Sequence, residues 1–270
     1  MQQVQAIPTI NRNSHDIHKS DLYLKNYGLY FNHLKYTPIN LLELGIFTGG
    51  SLKVWRDYFE YGKIVGVDIF KVNVPDSSGR IRTYQGLQQD KALLAKIAAE
   101  NAPEGFDIII DDASHIGELT KKSFWYLFNH HLKPGGIYVI EDWRTGYYKK
   151  FIDGRKFKQV GQGNSPRTIL QSALDRYLNN IQDKPLLTKI VYKIRKLTTK
   201  KKFSSHNYGM VGFVKQLVDE LGMDIITGPE GGGTAQHNQN CKFLSMNIYP
   251  GQVFIFKNYT SELSGEYINS

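Results

Sequence analysis

A single cysteine, Cys241, stands in 270 residues, so the chain cannot close a disulfide within itself and offers no cysteine zinc site. No apolar run approaches the roughly 20 residues that a membrane-spanning helix needs. The opening stretch MQQVQAIPTINRNSHDIHK lacks the apolar core of a secretory leader, and a cytoplasmic location is expected. Acid is in deficit: 25 Asp and Glu stand against 34 Lys and Arg, a formal charge of +9. Part of the excess is local, in Lys189, Lys193, Arg195, Lys196, Lys200, Lys201 and Lys202. Leu187, Ile190, Val191, Ile194 and Leu197 recur there at helical spacing, which predicts a basic amphipathic helix. Such a helix packs on its own domain, on a second subunit or on an anionic membrane surface. Nucleic acid fits poorly, because no recognition module and no stacking aromatics accompany the cations. The glycine-rich loop at 228–234 lacks a following Lys-Ser/Thr pair and is no phosphate loop.

What is present is organised around residues 40–68, NLLELGIFTGGSLKVWRDYFEYGKIVGVD. Leu41, Leu42 and Leu44 make a short buried strand. Gly45, Gly49 and Gly50 form a turn, with Thr48 and Ser51 contributing hydroxyls. Leu52, Val54, Trp55, Tyr58 and Phe59 are spaced as a helix opening near Gly50, whose free N–H groups would face a ligand on the turn. A second apolar run, 64–67, ends in Asp68, placed to accept hydrogen bonds from a ribose diol. The pattern Glu43-x-Gly45-x-x-x-Gly49 is similar to motif I of class I S-adenosylmethionine (SAM) methyltransferases. An acid before the turn suits the cationic amino-acid end of SAM and would repel a phosphate.

Further along, residues 80–84 read as a third strand leading into Gln88, expected beside the adenine. Residues 91–101 read as a helix and 106–111 as a buried strand. A helix is expected over 123–132, a turn at 133–136 and a strand at 137–140. Two neighbouring strand ends then deliver carboxylates, Asp111 and Asp112 on one, Glu141 and Asp142 on the other. Like charges so close need a proton or a cation between them, and hard oxygen ligands suit magnesium, calcium or manganese. His115 follows three residues after Asp112, and a histidine can take a proton near neutrality.

The blocks ELGIFTGGSLKVWRDYF, IVGVD, FDIIIDDASH and LKPGGIYVIEDW together resemble the metal-dependent macrolide-sugar O-methyltransferases, over about residues 20–143. Residues 212–221 and 242–256 resemble the family's later helix and closing antiparallel strand pair. The resemblance implies Asp112, Glu141 and Asp142 as metal ligands and His115 as general base. It implies Glu43, Gly45, Thr48, Gly49, Ser51, Asp68, Gln88 and Asp111 around SAM. Two blocks depart from the family: its acid in the Gly-Asp-Gln turn is Leu87 here, and its Thr-Asp-Lys…His segment is represented by Ser20-Asp21. Cephalosporin hydroxylase-like proteins share the ELG…GGSL block and are a second resemblance.

The expected fold is therefore α/β: a Rossmann-like, doubly wound, mostly parallel sheet with an antiparallel C-terminal strand pair and a helical insertion. One domain spans 1–270, with an N-terminal arm and helix over 1–35 and a basic helical insertion, a lid or dimer arm, over 144–210. The implied activity is SAM-dependent, magnesium-assisted methyl transfer to a hydroxyl of a sugar-like small molecule, in a homo-oligomer. A SAM-fold protein that binds a membrane or partner without catalysis is the alternative. Asp-Asp-Ala-Ser stands where a base N-methyltransferase carries Asn-Pro-Pro-aromatic, which argues against nucleic-acid methylation.

Overall fold

The structure, a computed structural model, describes residues 10–11, 15, 17–157, 205–222 and 241–259. The chain divides into two compact units, Met1–Arg155 with Asn207–Ser270, and Lys156–His206. In the second, Phe157 and His206 stack with ring centroids 4.9 Å apart. Of the insertion expected over 144–210, residues 158–204 lie outside the described residues, the basic helix among them.

The first unit is built on a seven-stranded sheet in the order β3-β2-β1-β4-β5-β7-β6. Its strands are β1 (Asn40–Leu44), β2 (Lys63–Asp68), β3 (Ile81–Gln85), β4 (Phe106–Asp111), β5 (Leu132–Glu141), β6 (Phe243–Ile248) and β7 (Gln252–Lys257). β3, β2, β1, β4 and β5 pair in parallel, and β7 runs antiparallel to both β5 and β6. The helices are α1 (Asp21–Phe31), α2 (Gly50–Tyr58), α3 (Lys91–Asn101), α4 (Gly117–His130), the single turn α5 (Ile152–Arg155) and α6 (Gly209–Leu221). No helix among the described residues is long and apolar enough to cross a membrane.

Alternation along the strands sorts side chains to two faces. Leu42, Leu44, Val65, Val67, Ile109, Tyr138 and Ile140 join a core with residues of α3, α4 and α6. Leu41, Ile64, Ile108, Ile110, Ile137 and Val139 join another with Tyr27, Phe31, Leu52 and Trp55 of α1 and α2. This parity decides the site. Glu43 and Glu141 fall on the α1/α2 face, Asp111 on the α4 face, and Asp112 is the first residue past the strand.

Helix α1 is stitched to the β6–β7 hairpin. Asn26 Nδ2 donates to Gln252 Oε1 at 2.9 Å, the Tyr30 and Tyr249 hydroxyls are 2.6 Å apart, and the Tyr23 ring fills the space a side chain at Gly251 would need. Ser20 caps α1 through Tyr23 N–H at 3.3 Å. Among the described residues before it, Ile10, Ile17 and Lys19 are buried.

Two elements differ from their sequence reading. Helix α4 begins at Gly117 rather than near Ser123 because Asp153, 1% exposed, accepts its first N–H at 2.8 Å. The same Asp153 Oδ2 accepts Met210 N–H at 2.8 Å, so one carboxylate serves the N-termini of α4 and α6. Gly117 and Gly209 pack too closely there for a Cβ. Strand β5 begins at Leu132, through the expected turn, with a register shift against β4 between Phe106 and Ile108. Asp153→Ala would strand two buried N–H groups and should cost about 3 kcal/mol, at roughly 1–3 kcal/mol for each unsatisfied donor. Urea unfolding checks it: a lower midpoint with an unchanged slope is the expected result.

Candidate active site

A cleft of about 930 Å³ opens over the carboxyl ends of β1, β2, β4 and β5. Its floor is the turn after β1. Gly45 is left-handed at φ +81°, and a Cβ there would collide with the Asp112 carbonyl, so the turns after β1 and β4 lie back to back. Gly49, at φ 82°, starts α2 with no side-chain cap, leaving N–H groups of the first turn toward the cleft. Asp68 grips the same turn: its Oδ2 accepts from Ile46 and Phe47 N–H, each at 3.0 Å, and its Oδ1 from Phe70 N–H at 3.0 Å. Phe47, Ile69, Phe70 and Leu87 line the cleft yet are largely exposed, a set of bare apolar faces around its outer part.

At the inner end stand Glu43, Asp112, Glu141 and Asp142, joined by a residue the sequence reading did not single out. Lys19 Nζ donates to Asp112 Oδ2 and to Glu141 Oε1, both at 2.8 Å, and sits 3.1 Å from Glu43 Oε1. Lys19 is 6% exposed. Burial works against its charge, but Asp112, Glu141 and Glu43 outweigh that and hold its pKa well above the ordinary value. Burial, with the charge of Asp112 adding, lifts Glu141 above the usual carboxylate range, while Lys19 and Tyr27 oppose the shift. The Tyr27 hydroxyl donates to Glu141 Oε1 and the Tyr23 hydroxyl to Asp142 Oδ1 at 2.6 Å. Burial first, and then those carboxylates, push both phenols up, so both remain neutral donors.

Toward the cleft the arrangement changes. Asp112, His115 and Asp142 each offer a ligand atom, all within 4.8 Å of one another. His115 Nε2 lies 4.0 Å from Asp112 Oδ1 and 4.0 Å from Asp142 Oδ2, beyond hydrogen-bond reach. His115 and Asp142 both hold left-handed backbone, at φ 53°, which turns the chain sharply just after β4 and β5. Two carboxylate oxygens and an imidazole at such spacing suit a hard divalent cation or a proton-transfer pair.

Of the residues proposed around SAM, Gly45, Thr48, Ser51, Asp68 and Gln88 line the cleft. Three proposed with them do not. Glu43 is 0% exposed; Ser51 Oγ at 2.7 Å and Trp55 Nε1 at 3.1 Å donate to its Oε2, and Lys19 faces its Oε1. Gly49 points at Val74 and shapes the turn. Asp111 is 2% exposed and lies under the site, where Ser123 Oγ at 2.9 Å and Gln88 Nε2 at 3.2 Å donate to it. Gln88 Oε1 in turn accepts Ser114 N–H at 3.0 Å, so Asp111 fixes Gln88 from beneath. Asp112, Glu141 and Asp142 all reach the cleft, but Glu141 is engaged by Lys19 and Tyr27 and stands apart from the Asp112–His115–Asp142 group. A signal for the missed residues was there: Lys19 precedes the Ser20 cap, and Tyr23 and Tyr27, four apart, share a helix face.

The strand order, the glycine turn after β1 and the acids after β4 and β5 resemble the architecture of class I SAM-dependent methyltransferases. The chain resembles, among them, O-methyltransferases of natural-product sugars. The 8-demethyl-8-(2-methoxy-alpha-L-rhamnosyl)-tetracenomycin-C 3'-O-methyltransferase of Streptomyces olivaceus is 40% identical over 156 residues, 55% of this chain and 38% of the relative. The mycinamicin VI 2''-O-methyltransferase of Micromonospora griseorubida is 38% identical over 160 residues, 57% of this chain and 39% of the relative. Among solved structures, the MycE methyltransferase of the mycinamycin biosynthetic pathway, in complex with Mg and SAH, superposes with a TM-score of 0.60 at 26% identity, over 89% of this chain and 50% of that one. The chain thus spans about two fifths of the curated relatives' length and half of the solved one. No protein-family model matches it.

Burial lifts Asp111 to a pKa of about 7, against roughly 3.9 for a free aspartate. The folded state therefore holds this proton where the unfolded state has lost it, and stability falls as pH rises from about 4 to 7. Relative to Asp111→Asn, which lacks the titration, the native chain should lose up to roughly 4 kcal/mol across that range. Denaturant midpoints of both proteins at pH 5, 6, 7 and 8 measure it; parallel curves would contradict the assignment.

Proposed function

We propose that this protein is a SAM-dependent O-methyltransferase that methylates a hydroxyl of a sugar or glycosylated small molecule with the help of a divalent metal, Mg²⁺ first. The observation that carries this reading is the meeting of Asp112, His115 and Asp142 within 4.8 Å in the same cleft as the Gly45 turn. The relatives named for sugar hydroxyls support the acceptor class. The residues fit both groups. Asp68 spends three acceptor positions on backbone N–H groups of about four a carboxylate has, which leaves capacity for a ribose hydroxyl. Gly45, Thr48, Ser51 and the open first turn of α2 would receive the amino-acid end of SAM, and Ile69 and Leu87 would flank its adenine.

Asp112 and Asp142 would hold the metal, with Glu141 behind them. When bound, the metal supplies a Lewis acid that lowers the acceptor hydroxyl's pKa and fixes its orientation. His115 Nε2 takes the hydroxyl proton. Tyr23 holds Asp142 in place through its 2.6 Å hydrogen bond. The cleft walls position the acceptor oxygen in line with the sulfonium methyl. The insertion over 144–210, with its basic stretch at 189–202, is read as a lid or dimer arm, in a cytoplasmic homo-oligomer.

Titration calorimetry with SAM, in magnesium and in chelator, tests the cofactor; no heat in either would sink the reading. His115→Ala should lower turnover by about 100-fold or more while SAM and metal affinity stay unchanged; loss of metal binding would make His115 a ligand instead. Asp142→Asn should abolish both activity and response to added metal, and full activity in chelator would refute the metal's part.

A further inference from the structure

We propose that Lys19 is a resident cation that occupies the rear of the acid cluster and sets how strongly the site takes up a divalent metal. The inference rests on the metal-assisted reading above and adds a positioning residue to it. The ammonium is surrounded by Asp112 Oδ2 and Glu141 Oε1 at 2.8 Å and Glu43 Oε1 at 3.1 Å. Hard oxygens from three carboxylates around one point are a donor set a divalent ion would take; here a side chain fills it. Asp112 is shared between the two sides: Oδ2 is on Lys19, while Oδ1 faces His115 at 4.0 Å. Lys19 thus leaves the group of Asp112, His115 and Asp142 for an ion, and its charge, bonded to one of the proposed ligands, opposes a second positive charge there.

The lysine is placed for this task by the chain around it. Ile17 is buried in the core beneath α1 and α2, and Ser20 starts α1 immediately after Lys19. Tyr27, one helical face along, contacts the same Glu141 oxygen. Glu43 Oε1 faces the Lys19 ammonium in a charge contact at 3.1 Å. The ammonium therefore holds the three acids together before any metal arrives.

The test is Mn²⁺ binding to the full chain at pH 7.5, by calorimetry or by electron paramagnetic resonance of the free ion. Lys19→Met and the milder Lys19→Gln, whose amide still donates to the carboxylates, should bind Mn²⁺ about tenfold tighter or more, because a repelling charge is gone. Lys19→Arg should stay within about threefold of the native chain. The double variant Lys19→Met/Glu43→Gln restores the net charge at a residue that does not reach the cleft, and should return affinity to within about threefold. In chelator Lys19→Met should melt lower than the native chain and regain the loss with Mn²⁺. A lysine that merely packs the N-terminal segment would lower melting with affinity unmoved. Unchanged or weaker Mn²⁺ binding in both Lys19→Met and Lys19→Gln overturns the proposal while leaving the metal reading intact. A native chain that binds no Mn²⁺, or whose binding survives Asp112→Asn and Asp142→Asn, overturns the metal reading and this inference with it.

Discussion

Carboxylates cannot be crowded at the ends of neighbouring strands without a counter-charge. Glu43 and Glu141 are buried and Asp112 is largely so, and an uncompensated charge in such surroundings costs several kcal/mol. The compensating ammonium comes from Lys19, from outside the sheet and 122 residues away from Glu141. Much follows from that contact. The chain before α1 must run along the sheet's carboxyl edge, so Ile17 is buried rather than solvated. Helix α1 must lie across the α1/α2 face, where Tyr27 packs edge-on against Trp55 and Phe254 at centroid distances of 4.9 and 5.5 Å. The N-terminal segment is thus part of the site's electrostatics as well as its wall.

Backbone strain is concentrated at the same place. Among the described residues, the non-glycine positions with positive φ are Phe47, His115 and Asp142. Each stands within about one turn of the end of a strand, after β1, β4 and β5 respectively. Left-handed backbone costs of order 1–3 kcal/mol at such residues, and it persists where surrounding bonds fix it. At Phe47 the fixing bond is its own N–H to Asp68; at Asp142 it is the Tyr23 hydroxyl. The sharp turns keep the three side chains over the cleft, where an extended continuation would carry them off with the strand.

The fold could be read from the sequence because the strand signals are strong. Leu41–Leu44, Ile64–Val67 and Phe106–Ile110 are short apolar runs that end in glycine or acid, and the parallel order followed from strands alternating with helices. The acids after β4 and β5 were legible for the same reason, since a strand's end is where apolar character stops. Asp112 was read as a metal ligand and Asp111 beside SAM, and alternation separates the two: Asp111 shares the face of Ile109 and Tyr138 and is buried, while Asp112 is past the strand and free to turn. Glu43 was read as a ligand contact, but its parity sends it beneath the turn to Ser51 and Trp55. Asp153 was out of reach because its partners are distant in the chain. Asp153 reaches Gly117 and Met210 across 36 and 57 positions, and no local pattern encodes a cap delivered from elsewhere.

The stitching of α1 to the β6–β7 hairpin bears on how the protein is made. Asn26 and Gln252 are 226 positions apart. Chains emerge at about 5–20 residues per second during synthesis, so α1 waits on the order of 10–45 seconds for the hairpin that holds it. Contacts of such separation are slow to form in any case. Glu43, Asp112 and Glu141 are therefore synthesised before the hairpin that holds α1, the helix that follows Lys19.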